Sequence, residues 1–317
     1  MSMEMFRDTR IDWLRQKWFF LIISLIFSIA GLFSILFWHH VPLGIDFRGG
    51  TQVMVKFDSQ PNDDLIRSAL AQNGVKEAQV QRISDPMNTA ENEVVISLPK
   101  QILEMTEEQG RIAIKKGLTA NYHESGFDVL KVDVVGPTAG KQLQRQAWLA
   151  TAYSLIGMLI YLWFRFELIY GVAAVAAVFH DTLITVGAFS LANREIDLAV
   201  IAAILTLIGY SMNDTIVVFD RIRENLAIDR RPSLAHVVNR SINQTLSRTV
   251  LTSGLTFLTV LSLYLFGGAS LNGFSFALVV GILIGTYSSI AIAAPMLVAY
   301  QNWRTPKGRV ATLPVGR

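Results

Sequence analysis

The run WFFLIISLIFSIAGLFSILFW, from Trp18 to Trp38, carries no charge. It is long enough to cross a hydrocarbon core of about 30 Å as a single helix. Arg15 and Lys17 precede it, and His39, His40, Val41 and Pro42 follow it without a small-x-small cleavage site. It is also long for the apolar region of a secretory signal, so the expectation is a retained signal anchor. Five more runs of this kind follow, at about 147–164, 170–192, 198–219, 249–267 and 271–300. Composition agrees: 51% of the residues are hydrophobic and 17% charged, against about 25% charged in soluble domains. The reading is a polytopic α-helical membrane protein with six transmembrane helices. The absence of cysteine excludes disulfides and thiolate metal sites. The net charge of +3 is small, and the basic residues lie on short loops rather than in one patch suited to nucleic acid.

Residues 39–146, between the first and second spans, have ordinary soluble composition. Thr51–Phe57 alternates Val53, Val55 and Phe57 and reads as a strand. Asn62–Gln72 places Leu65, Ile66, Ala69 and Leu70 at helical spacing, with Gly74 as a stop. Gln79–Ile83 and Glu93–Leu98 read as strands around a turn containing Asp85, Pro86 and Asn88. Thr106–Glu124 reads as a helix capped by Thr106, and Phe127–Val135 as a last strand. The order β-α-β-β-α-β predicts an α+β ferredoxin-like domain, although another small α+β sandwich fits the same order.

Charge asymmetry sets the expected orientation. One set of short segments holds Arg7, Arg10, Arg15 and Lys17 (residues 1–17), Arg165, then Arg221, Arg223, Arg230, Arg231, Arg240 and Arg248 (residues 220–248). It ends with Arg304, Lys307, Arg309 and Arg317 (residues 301–317), whereas the short loops of the other set hold only Arg194. By the positive-inside rule both termini are cytoplasmic and the domain is exoplasmic. In the loop, Val237, Val238, Ile242 and Leu246 are spaced for an amphipathic helix at the membrane surface.

Polar groups inside the spans are the functional candidates, because an ionisable side chain at a helix centre costs about 2.5–3.5 kcal/mol on insertion scales. His180 and Asp181 lie midway along the third span, where Asp181 shares a face with small residues. They fit either a hydrogen bond between helices or ion transport. Thr206, Tyr210, Asn213 and Asp214 form one polar face of the fourth span. Thr252, Thr256 and Thr259 continue the face of Arg248 along the fifth. That stripe fits either a hydrated ion path or hydroxyls bonded back to their own helix. Gly281 and Gly285 favour close packing in the sixth span. Asp46, Gly49 and Gly50, with Gly136 and Pro137, read as structural joints at the two ends of the domain. No phosphate loop, HExxH motif or nucleophile elbow occurs, so the expectation is no enzyme, no metal and no cofactor.

These segments together resemble the SecF family, the smaller membrane subunit of the SecDF accessory of the bacterial Sec translocon. The resemblance rests on Gly44-Ile45-Asp46-Phe47-Arg48-Gly49-Gly50, Val135-Gly136-Pro137, Phe164-Arg165-Phe166-Glu167 and His180-Asp181. It continues through Ile208–Val218, Asp220–Asn225, Thr245–Thr249 and Leu265–Gly268. Arg48 departs from the small polar residue expected in the DFxGG segment. The resemblance implies the resistance-nodulation-division fold in the bacterial inner membrane. It implies SecD, YajC and SecYEG as partners and a role late in export, drawing a translocating preprotein outward with the ion gradient.

On this reading Asp214 and Arg248 are the expected ion-coupling pair, with Asn213, Asp181 and His180 nearby. Competing readings are a small-molecule efflux protein of the same superfamily, an intramembrane aspartyl protease using Asp181 and Asp214, and a passive scaffold for SecD. The choice between H⁺ and Na⁺ stays open.

Overall fold

The computed structural model describes residues 9–73, 78–82, 92–99, 107–123, 125–228 and 232–304. The expected helix stop at Gly74, the turn at Asp85, Pro86 and Asn88, and the cap at Thr106 lie outside the described residues. So do Arg7, Arg230, Arg231, Lys307, Arg309 and Arg317.

Helix α1 (Lys17–Phe33) runs into a π-helical turn, Ser34–Trp38. A single turn of helix, α2 (Ile45–Arg48), leads into β1 (Gly50–Phe57), α3 (Asp63–Gln72), β2 (Gln79–Arg82) and β3 (Glu93–Pro99). Then come α4 (Glu107–Asn121) and β4 (Phe127–Val135). The strands form one antiparallel sheet in the order β2-β3-β1-β4. Period-two alternation puts Val53, Val55 and Phe57 under α3 and α4. There they meet Ile66, Leu70, Ile114 and Leu118 in a dry core. Asn62 caps α3, its Oδ1 accepting from the backbone N–H groups of Asp64 and Leu65 at 3.1 and 3.4 Å; such a cap contributes about 1 kcal/mol. The opposite sheet face carries Gln52, Met54, Gln81 and Ser97, and among the described residues no helix of the domain packs over it.

The joints explain the paired glycines. Gly49 and Gly50 have φ of +71° and +141°, a region that favours glycine. A Cβ on Gly50 would stand 2.4 Å from the Leu98 carbonyl oxygen. Pro137 occupies the first turn of α5 (Pro137–Arg165), where its missing N–H costs nothing. A Cβ on Gly140 would come within 3.0 Å of the Gly49 nitrogen, so glycine there lets α5 lie against α2. Gly136 has an ordinary extended backbone and open space around it.

The remaining helices are α6 (Leu168–Leu191), α7 (Leu198–Ile228), α8 (Leu234–Phe266) and α9 (Ala269–Ser288). A π turn at Ser289–Ala293 and α10 (Ala294–Arg304) complete the last span. Pro295 cannot donate a backbone hydrogen bond one turn back, which accounts for the π turn just before it. Among the described residues, six helices are long and apolar enough to cross a membrane.

The segment 220–248 corrects the sequence reading. It is not a loop with a helix lying on the membrane. α7 continues to Ile228, and α8 starts at Leu234 and runs unbroken into its span. Val237, Val238, Ile242 and Leu246 are buried inside the bundle rather than turned to a lipid surface. Polar bonds between the two extensions hold them together. Asn225 donates to Ser241 Oγ and Gln244 Oε1, each at 2.8 Å, and Arg221 Nε donates to Gln244 Oε1 at 2.7 Å. At the same end Arg165 Nη2 donates to both carboxylate oxygens of Asp220, each at 2.8 Å.

Candidate functional site

Helices α6, α7, α8 and α9 meet around two buried carboxylates. Asp181 on α6 is 1% exposed and Asp214 on α7 is 3% exposed. Asp181 Oδ2 accepts from Ser211 Oγ of α7 at 2.6 Å and from Ser288 Oγ of α9 at 2.7 Å. Its Oδ1 bonds His180 Nδ1 at 2.9 Å, while His180 Nε2 is buried without a partner. One carboxylate therefore ties three helices together. Charge-assisted hydrogen bonds of this kind are about twice as strong as neutral ones.

Asp214 Oδ2 accepts from Ser253 Oγ of α8 at 2.8 Å. Ser211 and Asp214 are three positions apart on α7, a rise of about 4.5 Å. The two acids thus sit at neighbouring levels. Each is bonded to hydroxyls of other helices, not to the other acid. That is not the shared-proton arrangement an aspartyl protease needs.

The packing is set by glycine. A Cβ on Gly285 would meet Ser211 Cβ at 3.0 Å and Asp181 Oδ2 at 3.6 Å, and one on Gly281 would overlap the Leu207 side chain. The Gly281/Gly285 face therefore lets α9 approach α7 closely enough for Ser288 to reach Asp181.

The structure does not bring Arg248 and Asp214 together as an ion pair. Arg248 is exposed on α8 and takes no part in the ion pairs found among the described residues. The helical turn explains this: Ser253 faces inward, and Arg248, five positions earlier, points away from it. Thr252, Thr256 and Thr259 also depart from the inward path. Each hydroxyl donates to the carbonyl four residues back, at 2.9, 2.8 and 3.0 Å, and Thr252 and Thr259 are exposed. On α7, Thr206 and Asn213 are likewise exposed, and Tyr210 is half-buried with an unpartnered hydroxyl. Polar stripes on α7 and α8 thus face out of this chain.

Ser211, Ser253 and Ser288 are the site residues that the sequence reading did not assign. Ser211 was signalled by its position three residues before Asp214, on the same helix face.

Asp46 stands at the far end of α7. Its Oδ2 accepts from the Leu198 N–H at 2.9 Å, so the residue read as part of a structural joint also caps this helix. Asp197 adds a second cap, accepting from the Val200 N–H at 2.7 Å. Burial raises the Asp197 pKa, the Val200 N–H lowers it, and nearby Asp46 raises it again.

Comparison with known proteins agrees with this arrangement. The family described as "Protein export membrane protein SecD/SecF, C-terminal" matches residues 114–303, and the "SecD/SecF GG Motif" matches residues 39–61. The chain is 50% identical to protein translocase subunit SecF of Koribacter versatilis, over 98% of this chain and 96% of that one. It is 46% identical to the SecF of Desulfurispirillum indicum, over 82% of each chain. The crystal structure of SecDF from Thermus thermophilus, a translocon-associated membrane protein, superposes with a TM-score of 0.82 at 36% identity. It covers 95% of this chain but only 40% of that longer one. With buried carboxylates on α6 and α7, a glycine-paired joint at the domain and near full-length identity to such relatives, the chain belongs to the SecF family of protein translocase subunits.

Proposed function

We propose that this chain works with SecD as an ion-gradient-driven accessory of the Sec translocon, promoting protein export across the bacterial inner membrane. Asp214 is the group that takes up and releases the ion. The observation that carries this reading is the outward-facing polar stripe on α7 and α8. Asn213 on one helix and Arg248 on the other are exposed in this chain alone, whereas Thr206 and Thr252 beside them bond carbonyls of their own helices. Polar and ionisable groups in a span face protein or water rather than lipid, so a second membrane protein belongs against them. SecD fits, because the SecDF chain of Brucella abortus joins a region 42% identical to this chain, about a third of its length, to a larger remainder.

On this reading Ser253 holds the ionised Asp214, and Arg248 completes the site at the interface with SecD. Protonation removes the charge that Ser253 and Arg248 stabilise. That loosens α8 from α7 and lets the bundle shift. Asp181, fixed by Ser211, Ser288 and His180, keeps α6, α7 and α9 moving as one body.

The external domain is the element that such movement would drive. Its strand order supports a ferredoxin-like fold, and the basic residues Arg165, Arg221, Arg223 and Arg240 at the opposite end of the bundle support an exoplasmic position for it. We assign it no catalysis. Its role is mechanical, on a preprotein delivered through SecYEG, with YajC as a further companion implied by the resemblance.

The test is export into vesicles reconstituted with SecD, with proton and sodium gradients imposed separately. Asp214→Asn should assemble with SecD but lose gradient-stimulated export. Normal stimulation in Asp214→Asn would sink the coupling reading, and normal export with no response to either gradient in the wild type would favour a passive scaffold.

A further inference from the structure

The domain touches the membrane bundle through two sets of bonds of different kinds. The first set is backbone-based. Gly44 N donates to Ile196 O at 2.9 Å and Ile196 N to Pro42 O at 2.7 Å, a short parallel bridge between the α1–α2 connection and the α6–α7 loop. Asp46 adds its cap on Leu198. The second set comes from side chains on the sheet face that no helix covers. Gln52 Nε2 donates to Glu195 Oε2 at 3.2 Å and to Ser97 Oγ at 3.3 Å, which brings the Ser97 hydroxyl beside the Glu195 carboxylate. At the sheet edge, Gln81 Nε2 donates to the Asn193 carbonyl at 2.9 Å. Between sheet and loop lies a cleft of about 730 Å³, so the two surfaces meet at a few polar points and not across a packed apolar interface.

We propose that Glu195 is a proton-responsive latch, which holds the open face of the sheet against the α6–α7 loop when it is neutral and releases the sheet when it is ionised. The bridge at Leu43 and Ile196, with the Asp46 cap, is the pivot that stays closed. This goes beyond the coupling role of Asp214 and does not depend on it.

The charges around Glu195 set the direction. Docking half-buries the carboxyl, and burial raises its pKa. Ser97 and Arg48 oppose this, while Asp197 and Asp46 add to it. Other charges near the cleft are engaged elsewhere. Lys131 pairs with Asp133 at 2.8 Å, both on β4, and Arg82 pairs with Asp63 at 2.7 Å. Arg194 donates to Asn272 at 2.5 Å and lies over the Phe276 ring at 4.4 Å. Asp197 is held by the N–H groups of its own helix end, so it does not leave its partners when the sheet lifts. A carboxyl whose pKa is higher docked than free binds its proton more tightly in the docked state. Docking is therefore fully favoured below the ordinary carboxylate range and weakens as pH rises through the raised docked value. Lifting the sheet returns the ionised group to water.

The experiment uses the full chain, which has no native cysteine. Nitroxide labels on Lys56→Cys and Leu271→Cys report the distance between domain and bundle in neutral-lipid nanodiscs from pH 8 to pH 5. The population at the docked distance should grow several-fold on acidification. Glu195→Gln, the neutral isostere, should be docked across the whole range. Gln52→Leu, which removes the side-chain donor to Glu195, should lower the docked population at pH 5, where docking is otherwise greatest. A wild-type distance that ignores pH, a Glu195→Gln chain that keeps the wild-type pH response, or one that is undocked throughout would each overturn the latch.

Discussion

A carboxylate inside a membrane bundle needs donors, and among the described residues Asp214 has one side-chain donor, Ser253. Removing a hydrogen bond to a charged group costs about 1.5–3 kcal/mol. Ser253→Ala should therefore reduce gradient-stimulated export with SecD assembly intact; full stimulation in this variant would separate Ser253 from the ion site. Asp181 calls for a different outcome. Asp181→Ala strands the buried Ser211 hydroxyl and leaves Ser288 only its 3.2 Å bond to the Gly285 carbonyl, and should cost about 1–3 kcal/mol. It should be read as a lower melting temperature of the detergent-solubilised chain, with Asp181→Asn less affected. The sequence made both acids legible because buried charge in a span is costly. It did not make their partners legible. Arg248 and the threonines share one helix face, so spacing pointed to them. Yet a threonine that bonds its own carbonyl four residues back needs no partner, and the inward group is Ser253, one position off that register.

At the scale of elements, α7 joins the two functional ends. It begins under the Asp46 cap beside the domain, carries Ser211 and Asp214 mid-course, and ends in Asn225 bonded across to α8. Its contact with α9 is the most exposed to mutation. Gly285→Leu places a branched side chain against Ser211 and Asp181 and should lower both thermal stability and export. Gly281→Ala should be milder, because the atoms it meets belong to Leu207, a side chain that can rotate. Equal damage from the two would argue against the Ser211–Asp181 contact as the critical one. The domain's strands were readable because alternation has a period of two and burial on one face enforces it. The limits of α7 and α8 were not, because apolar length marks where a membrane ends and not where a helix ends. Hydrogen bonds among Arg221, Asn225, Ser241 and Gln244 carry both helices beyond it.

The whole molecule presents two kinds of outer surface, and they call for different neighbours. α1 turns Phe19, Ile22, Leu25 and Phe27 outward, a surface that lipid satisfies. α7 and α8 turn out Asn213 and Arg248, side chains that lipid tails cannot hydrogen-bond and that face protein or water in membrane proteins. On the proposed reading this asymmetry puts SecD on the α7–α8 side, and that can be checked together with the orientation in a chain that has no cysteine of its own. A cysteine at His123 should label from outside intact cells and one at His236 should not; the reverse would invert the topology. Within the membrane, cysteines at Asn213 or Thr252 should cross-link to SecD, whereas cysteines at Ile22 or Phe27 should not. Asn213→Leu gives the sharper test. An apolar replacement relieves the exposed amide in lipid, so the isolated chain should be at least as stable as before. If the stripe is an interface, the same change should weaken recovery of SecD and reduce gradient-stimulated export. A stable chain that still recovers SecD in full, with cross-links appearing on α1 instead, would place the partner elsewhere and leave the polar stripes to line water.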